Sequence, residues 1–161
     1  MAGAYKQEFP PLLQEGLHPM TLAELRALCV GRFPLSARRE PIMRSLEAMC
    51  FALSSSLVKG EVWVDGSFLT QKIEPDDVDV IVVLPSGVNG TPEQKSVIAR
   101  VDAQDFKFPI PCDSYTNIQY PEGHKKYWFG EFMRAYWIKQ FGFARSLQTM
   151  KGIAVIRTPL I

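Results

Sequence analysis

The chain has no long apolar run. Nowhere does it approach the roughly 18 apolar residues of a membrane span. Met1 to Pro11, which carry Lys6 and Glu8, hold no apolar stretch of the kind a signal peptide needs. Cysteine is scarce: Cys29, Cys50 and Cys112 are widely spaced, odd in number and form no CxxC pair. That excludes a disulfide frame and a cysteine-built zinc site, and fits reduced thiols in a cytoplasmic protein with no membrane partner. An excess of one charge is also missing. At a net charge of +1 no global field recruits nucleic acid, so any polyanion must be held by a local cluster. There is no internal repeat and no low-complexity tract. What remains is ordinary: 47% apolar and 22% charged residues over 161 positions, which fits one globular domain with a real core.

Residues 1–20 hold Pro10, Pro11 and Pro19 with Gly3 and Gly16 and read as an irregular lead-in, leaving 21–161 as the domain. Thr21-Leu22-Ala23-Glu24 is a capping box that opens a short helix ending near Gly31. Ser36 starts a longer helix to about Val58, with Ile42, Leu46, Met49 and Leu53 at helical spacing; Pro41 marks an alternative start. Strands are expected at Glu61 to Asp65 and at Val78 to Leu84, the second nearly all apolar, as in a strand covered on both faces. Thr91-Pro92-Glu93-Gln94 opens a helix to about Ala103. A strand around Cys112 to Ile118, a helix from Tyr127 to Phe141 and a strand from Gly152 to Arg157 complete the order. The expected class is α/β or α+β, a mixed sheet with flanking helices in one layer pair.

The informative stretch is Val64-Asp65-Gly66-Ser67-Phe68, followed after Ser67 by nine residues and then Asp77-Val78-Asp79-Val80. Residues two apart on a strand share a face, so Asp77 and Asp79 project together with Cα atoms about 6.6 Å apart. Val78, Val80 and Val82 then point into the core, and Asp76 belongs to the preceding turn. Two adjacent carboxylates repel unless a cation lies between them, and Mg²⁺ takes one or two carboxylates plus substrate phosphates. Gly66 permits a tight turn whose backbone N–H groups approach a phosphate, and the Ser67 hydroxyl adds a donor. Lys72, between turn and acids, is either a counter-charge for a phosphate oxygen or a solvated lysine.

This arrangement resembles the polymerase-β-type nucleotidyltransferases, whose pattern is an apolar residue, Gly-Ser, about ten residues and then Asp-apolar-Asp. It is most similar to their minimal bacterial group, which includes toxin–antitoxin and abortive-infection members. The segment Trp63 to Thr70 with Asp77 to Val80 also resembles a family of short bacterial proteins that carry Lys-Gly-Ile near the C-terminus, here Lys151-Gly152-Ile153. The resemblance implies a minimal nucleotidyltransferase fold and a third carboxylate on a later strand. Asp113 is the candidate, with Asp102 and Asp105 as rivals at a helix end. It further implies two Mg²⁺ ions on Asp77, Asp79 and Asp113, with an NTP held at Gly66, Ser67 and Lys72. The activity implied is transfer of a nucleoside monophosphate to a hydroxyl on an RNA or protein acceptor. The alternatives are an inactive domain of the same fold that binds a cognate partner protein, antitoxin-like, or a nucleotide sensor.

Other residues carry two readings each. Asp65 braces the Gly66 turn through an Asx-type hydrogen bond or joins the metal site, the first being favoured. His124-Lys125-Lys126 is a solvated loop or a grip on phosphates. Trp128, Phe132 and Tyr136, at i, i+4 and i+8, are expected to face the core rather than to form a base-stacking surface. Cys112 has no histidine near it in sequence, so a catalytic thiol is not expected.

Overall fold

Local signals place the helix starts. Thr21 accepts the Glu24 N–H at 3.1 Å while the Glu24 carboxylate accepts the Thr21 N–H at 2.8 Å. These bonds open α1 (Leu22–Arg26), which runs on into one wide π turn, Ala27–Gly31. In α2 (Arg39–Ser55), Ser36 lies ahead of the first turn and its hydroxyl accepts the N–H groups of Arg38 and Arg39. The helix therefore begins three residues after Ser36, with Pro41 in the first turn, where a missing N–H breaks no helical bond. Thr91 and Gln94 repeat the reciprocal cap, both bonds at 3.1 Å, and open α3 (Pro92–Asp102).

The computed structural model describes residues 7–144, 146 and 149–161. The first six residues of the expected lead-in lie outside this set. Within the rest of that lead-in a short strand forms, β1 (Gly16–Pro19). The other strands are β2 (Gly60–Asp65), β3 (Val78–Pro85), β4 (Cys112–Gln119) and β5 (Gly152–Thr158), with α4 (Tyr127–Gly142) before the last. They form one mixed sheet in the order β1-β5-β2-β3-β4. β2 is antiparallel to both its neighbours, whereas β3–β4 and β1–β5 are parallel. The α+β class is as expected. Among the described residues, no helix is long and apolar enough to cross a membrane.

The sheet is covered on both faces, as the nearly all-apolar run of residues 78–84 implies, so it sits between two layers of helix and not in a single layer pair. Val62, Val64, Val80, Val82, Ala154 and Ile156 pack with α2 and α3 in the larger core. Trp63, Ile81, Val83, Ile153 and Val155 point the other way and pack with Phe141, Trp137 and Ile138 of α4. Strand alternation thus sorts even-numbered residues to the α2/α3 side and odd-numbered ones to the α4 side.

The helix α4 corrects one expectation outright. Trp128, Phe132 and Tyr136 do not face the core: they are 79%, 69% and 43% exposed, and Phe129 beside them is 61% exposed. The close approach is made at Gly130, where a Cβ would stand 3.1 Å from the Ile118 carbonyl and 3.2 Å from the Tyr120 ring. A larger residue there would crowd the end of β4, and the helix lies with Trp137, Ile138 and Phe141 inward and the aromatic stripe outward.

Candidate metal centre

Register brings the acids together. In the β2–β3 pairing Asp65 stands opposite Asp79, and in the parallel β3–β4 pairing Asp79 stands beside Asp113. One row of carboxylates therefore crosses three strands on the α4 side. Asp77, two residues before Asp79, joins it. Asp77, Asp79 and Asp113 each offer one oxygen, and these three oxygens lie within 4.8 Å of one another. All three residues are half-buried, so the cluster faces an opening and not the core. Three hard carboxylate oxygens without nitrogen or sulfur donors fit Mg²⁺ and not a soft metal.

The Gly66 turn is built against this cluster. Gly66 has φ +85°, and a Cβ there would lie 2.6 Å from Asp79 Oδ2 and 3.2 Å from the Asp79 backbone N. Both the backbone conformation and the approach to Asp79 require glycine. Ser67 begins a single 3₁₀ turn, Ser67–Leu69, closed by the Leu69 N–H on the Gly66 carbonyl and the Thr70 N–H on the Ser67 carbonyl, each at 3.2 Å. Ser67 thus follows Gly66 at the end of β2, next to the starts of β3 and β4, where Asp79 and Asp113 stand.

Two supports were not legible in the sequence. Arg39 is fully buried in the first turn of α2. Its guanidinium donates to the carbonyls of Cys29 (2.8 Å), Phe68 (2.7 Å), Thr70 (2.6 Å) and Lys72 (2.5 Å), and stacks on Phe33 at 3.6 Å. Three of those carbonyls belong to the segment between β2 and β3, so Arg39 fixes the path of the turn that carries Ser67. Burial pulls its pKa down, and the carbonyl acceptors, with a smaller pull from the Glu74 carboxylate, favour the charged form.

The second support is Lys151, just before β5. Its Nζ meets Asp65 Oδ2 at 3.0 Å. Asp65 is 2% exposed, its other oxygen has no hydrogen-bond partner, and burial pushes its pKa up to about 7 against the pull of Lys151. The Gly66 amide favours the charged form without making a well-formed hydrogen bond. Asp65 thus braces the turn through a buried ion pair, a partner that lies too far along the chain for an Asx-type reading to find.

The remaining candidates separate. The Lys72 ammonium meets Asp76 at 3.6 Å and lies 6.0 Å from the Phe9 ring, and Asp76 is exposed, as a turn residue. The rivals of Asp113 are engaged elsewhere: Asp102 accepts the Thr116 hydroxyl at 2.6 Å, and Asp105 pairs with Arg100 at 3.2 Å. Cys112 is buried, and burial pushes its thiol up to about 12, so it is no thiolate at neutral pH. His124 stacks on Tyr120 with ring centroids 4.7 Å apart, and its Nδ1 accepts the Lys126 N–H at 2.9 Å. Lys125 and Lys126 stay exposed in that loop.

The chain belongs to a family of unknown function, DUF6932, whose model matches residues 7–157. Comparison with curated proteins and with solved structures finds no match.

Proposed function

We propose that this protein transfers a nucleoside monophosphate from an NTP to a hydroxyl acceptor. The observation that carries the reading is the convergence of Asp77, Asp79 and Asp113 within 4.8 Å, against a glycine turn. It supports the resemblance to polymerase-β-type nucleotidyltransferases. Asp77 and Asp79 would hold two Mg²⁺ ions, with Asp113 on the one nearer the acceptor. When bound, Mg²⁺ supplies charge neutralisation on the triphosphate and lowers the pKa of an acceptor hydroxyl. Gly66 and Ser67 would receive the β- and γ-phosphates and orient the α-phosphorus towards Asp113. The acceptor oxygen forms a bond to the α-phosphorus, the bond to the bridging oxygen breaks, and pyrophosphate leaves with that electron pair. Asp113 takes the acceptor proton and releases it to water. Positioning and charge supply most of such a rate. Three unpaired, buried thiols support a cytoplasmic setting.

The test is incubation with each labelled NTP, Mg²⁺ and cell lysate, with Asp79→Asn alongside. Transfer of label by wild type alone supports the reading; equal labelling, or none with any NTP, contradicts it. A second reading has its own observation. An inactive, antitoxin-like domain that binds a partner protein needs an exposed apolar patch, and the outer face of α4 is one. It expects Mg²⁺ and NTP to bind weakly.

A further inference from the structure

The exposed aromatic face of α4 is the feature that the metal centre leaves unexplained. The outward positions here are Trp128, Phe129, Phe132, Ala135, Tyr136, Lys139 and Gln140, with no branched aliphatic among them. Trp128, Phe132 and Tyr136 stand one turn apart, about 6 Å along the axis. Each therefore offers a separate ring face.

Direction matters as much as composition. Tyr115 follows Asp113 by two residues on the same strand face, about 6.6 Å away. Its half-exposed ring meets Trp137 at 5.3 Å, and Trp137 meets Tyr136 at 5.0 Å. The helix α4 starts beside the end of β4 farthest from the acids, at Ile118 and Tyr120, and ends beside Lys151, at the acid end of the sheet. The rings therefore form a row that leaves the metal centre at Tyr115 and recedes through Tyr136, Phe132 and Trp128. At its far end lie Lys125 and Lys126, with the Lys126 Nζ 5.8 Å from the Tyr120 ring. Over residues 120–142 four bases stand against two acids, Glu122 and Glu131.

An antiparallel pair of α4 helices centred on Phe132 would bring Lys139 of each copy towards Lys125 of the other, a like-charge contact that disfavours that register.

We infer that this row is the docking track of a single-stranded nucleic acid, whose terminal hydroxyl reaches the metal centre as the acceptor. Bases stack on the separated rings, which tolerate any sequence, and the lysines at the far end meet phosphates. The inference rests on the transferase reading for what happens at the centre, but the binding itself needs neither Mg²⁺ nor NTP.

The experiment measures fluorescence anisotropy of labelled 12-nucleotide oligo-U, oligo-dT and a 12-base-pair duplex, without Mg²⁺ or NTP. The proteins are wild type, Trp128→Ala, Phe132→Ala and Lys125→Gln/Lys126→Gln, each checked by circular dichroism and analytical ultracentrifugation. Single strands are expected to bind in preference to the duplex. Each ring variant should lose about five- to a hundredfold. The lysine variant should flatten the salt dependence by roughly one to two in log–log slope. The oligo-U and oligo-dT arms tell RNA from DNA. The proposal is overturned if no strand binds, if the ring variants bind as wild type does, or if wild type is a dimer that the same ring substitutions disperse, which makes the face a protein interface. Mg²⁺–NTP stabilisation in the ring variants separates the two readings. Strand binding with no such stabilisation in any protein would end the transferase reading alone; stabilisation without strand binding would end this one alone.

Discussion

Asp79 stands directly beside Asp113 in the parallel pairing of β3 and β4, thirty-four residues apart in the chain and adjacent in the sheet. A shift of one residue in that register would send Asp113 to the α3 side. What holds the register is on the other face: Val80 and Val82 are buried with Cys112 in the larger core, and the Ser114 hydroxyl donates to the Val101 carbonyl at 2.8 Å. The chemistry of one face is thus set by packing on the other.

Gly66→Ala is expected to damage the site more than the fold. The positive φ of Gly66 with its extended ψ is essentially confined to glycine and costs an L-residue about 1–3 kcal/mol. The new methyl must also push on Asp79 Oδ2, 2.6 Å away. Urea denaturation should show a loss of about 1–3 kcal/mol, while Mg²⁺–NTP stabilisation falls away. A variant that keeps full stabilisation would uncouple the turn from Asp79.

Arg39→Met should be among the most destabilising single changes. It leaves four carbonyls facing an apolar side chain, and an unsatisfied buried acceptor costs about 1–3 kcal/mol. A loss of at least about 3 kcal/mol in urea is expected. Arg39→Lys should recover little, because one ammonium cannot reach four acceptors in a plane.

Lys151→Met should destabilise in a pH-dependent way. It strands the Asp65 carboxylate in a buried site, a change worth about 3–5 kcal/mol when the acid is charged. Asp65 already has a pKa raised to about 7, and without Lys151 it rises further. A raised folded-state pKa gives stability that is present at low pH and lost as pH climbs through it. The variant should therefore resemble wild type near pH 5 and fall well below it near pH 8, in thermal melts without metal. Asp65→Asn/Lys151→Met should remove the pH dependence. A flat difference across that range would mean that the pair is not the support described.

Ser67→Ala should be mild, about ten- to a hundredfold in transfer, the worth of one charge-assisted hydroxyl bond. Ser67→Trp should block the phosphate path. Equal activity in both, measured with labelled NTP, would place the triphosphate elsewhere.

Much of this was legible because it is local. Thr21 with Glu24 and Thr91 with Gln94 announce their helices within four residues, and the two-residue spacing of Asp77 and Asp79 fixes a shared strand face. What was missed depends on distant partners. Gly16–Pro19 has little strand character, and it becomes a strand because β5, more than 130 residues on, runs beside it. Arg39 looks like any helix-start arginine until the β2–β3 segment folds over it. Lys151 meets Asp65 only once β5 has paired with β2. In α4 both faces are apolar, so periodicity marks stripes without saying which is buried; the small Gly130 set against Ile118 is the local sign of the packed side.

The most direct test is thermal stability with Mg²⁺ and each NTP, comparing wild type with Asp77→Ala, Asp79→Ala and Asp113→Ala. Removing one of several neighbouring carboxylates should leave each apo protein folded, with a melting temperature near that of wild type. Wild type should gain stability by mass action, about 2.7 kcal/mol at a ligand concentration a hundred times the Kd. Each variant should lose most of that gain. Equal stabilisation of wild type and all three variants, or none in wild type with any NTP, would contradict a metal–nucleotide site on these acids.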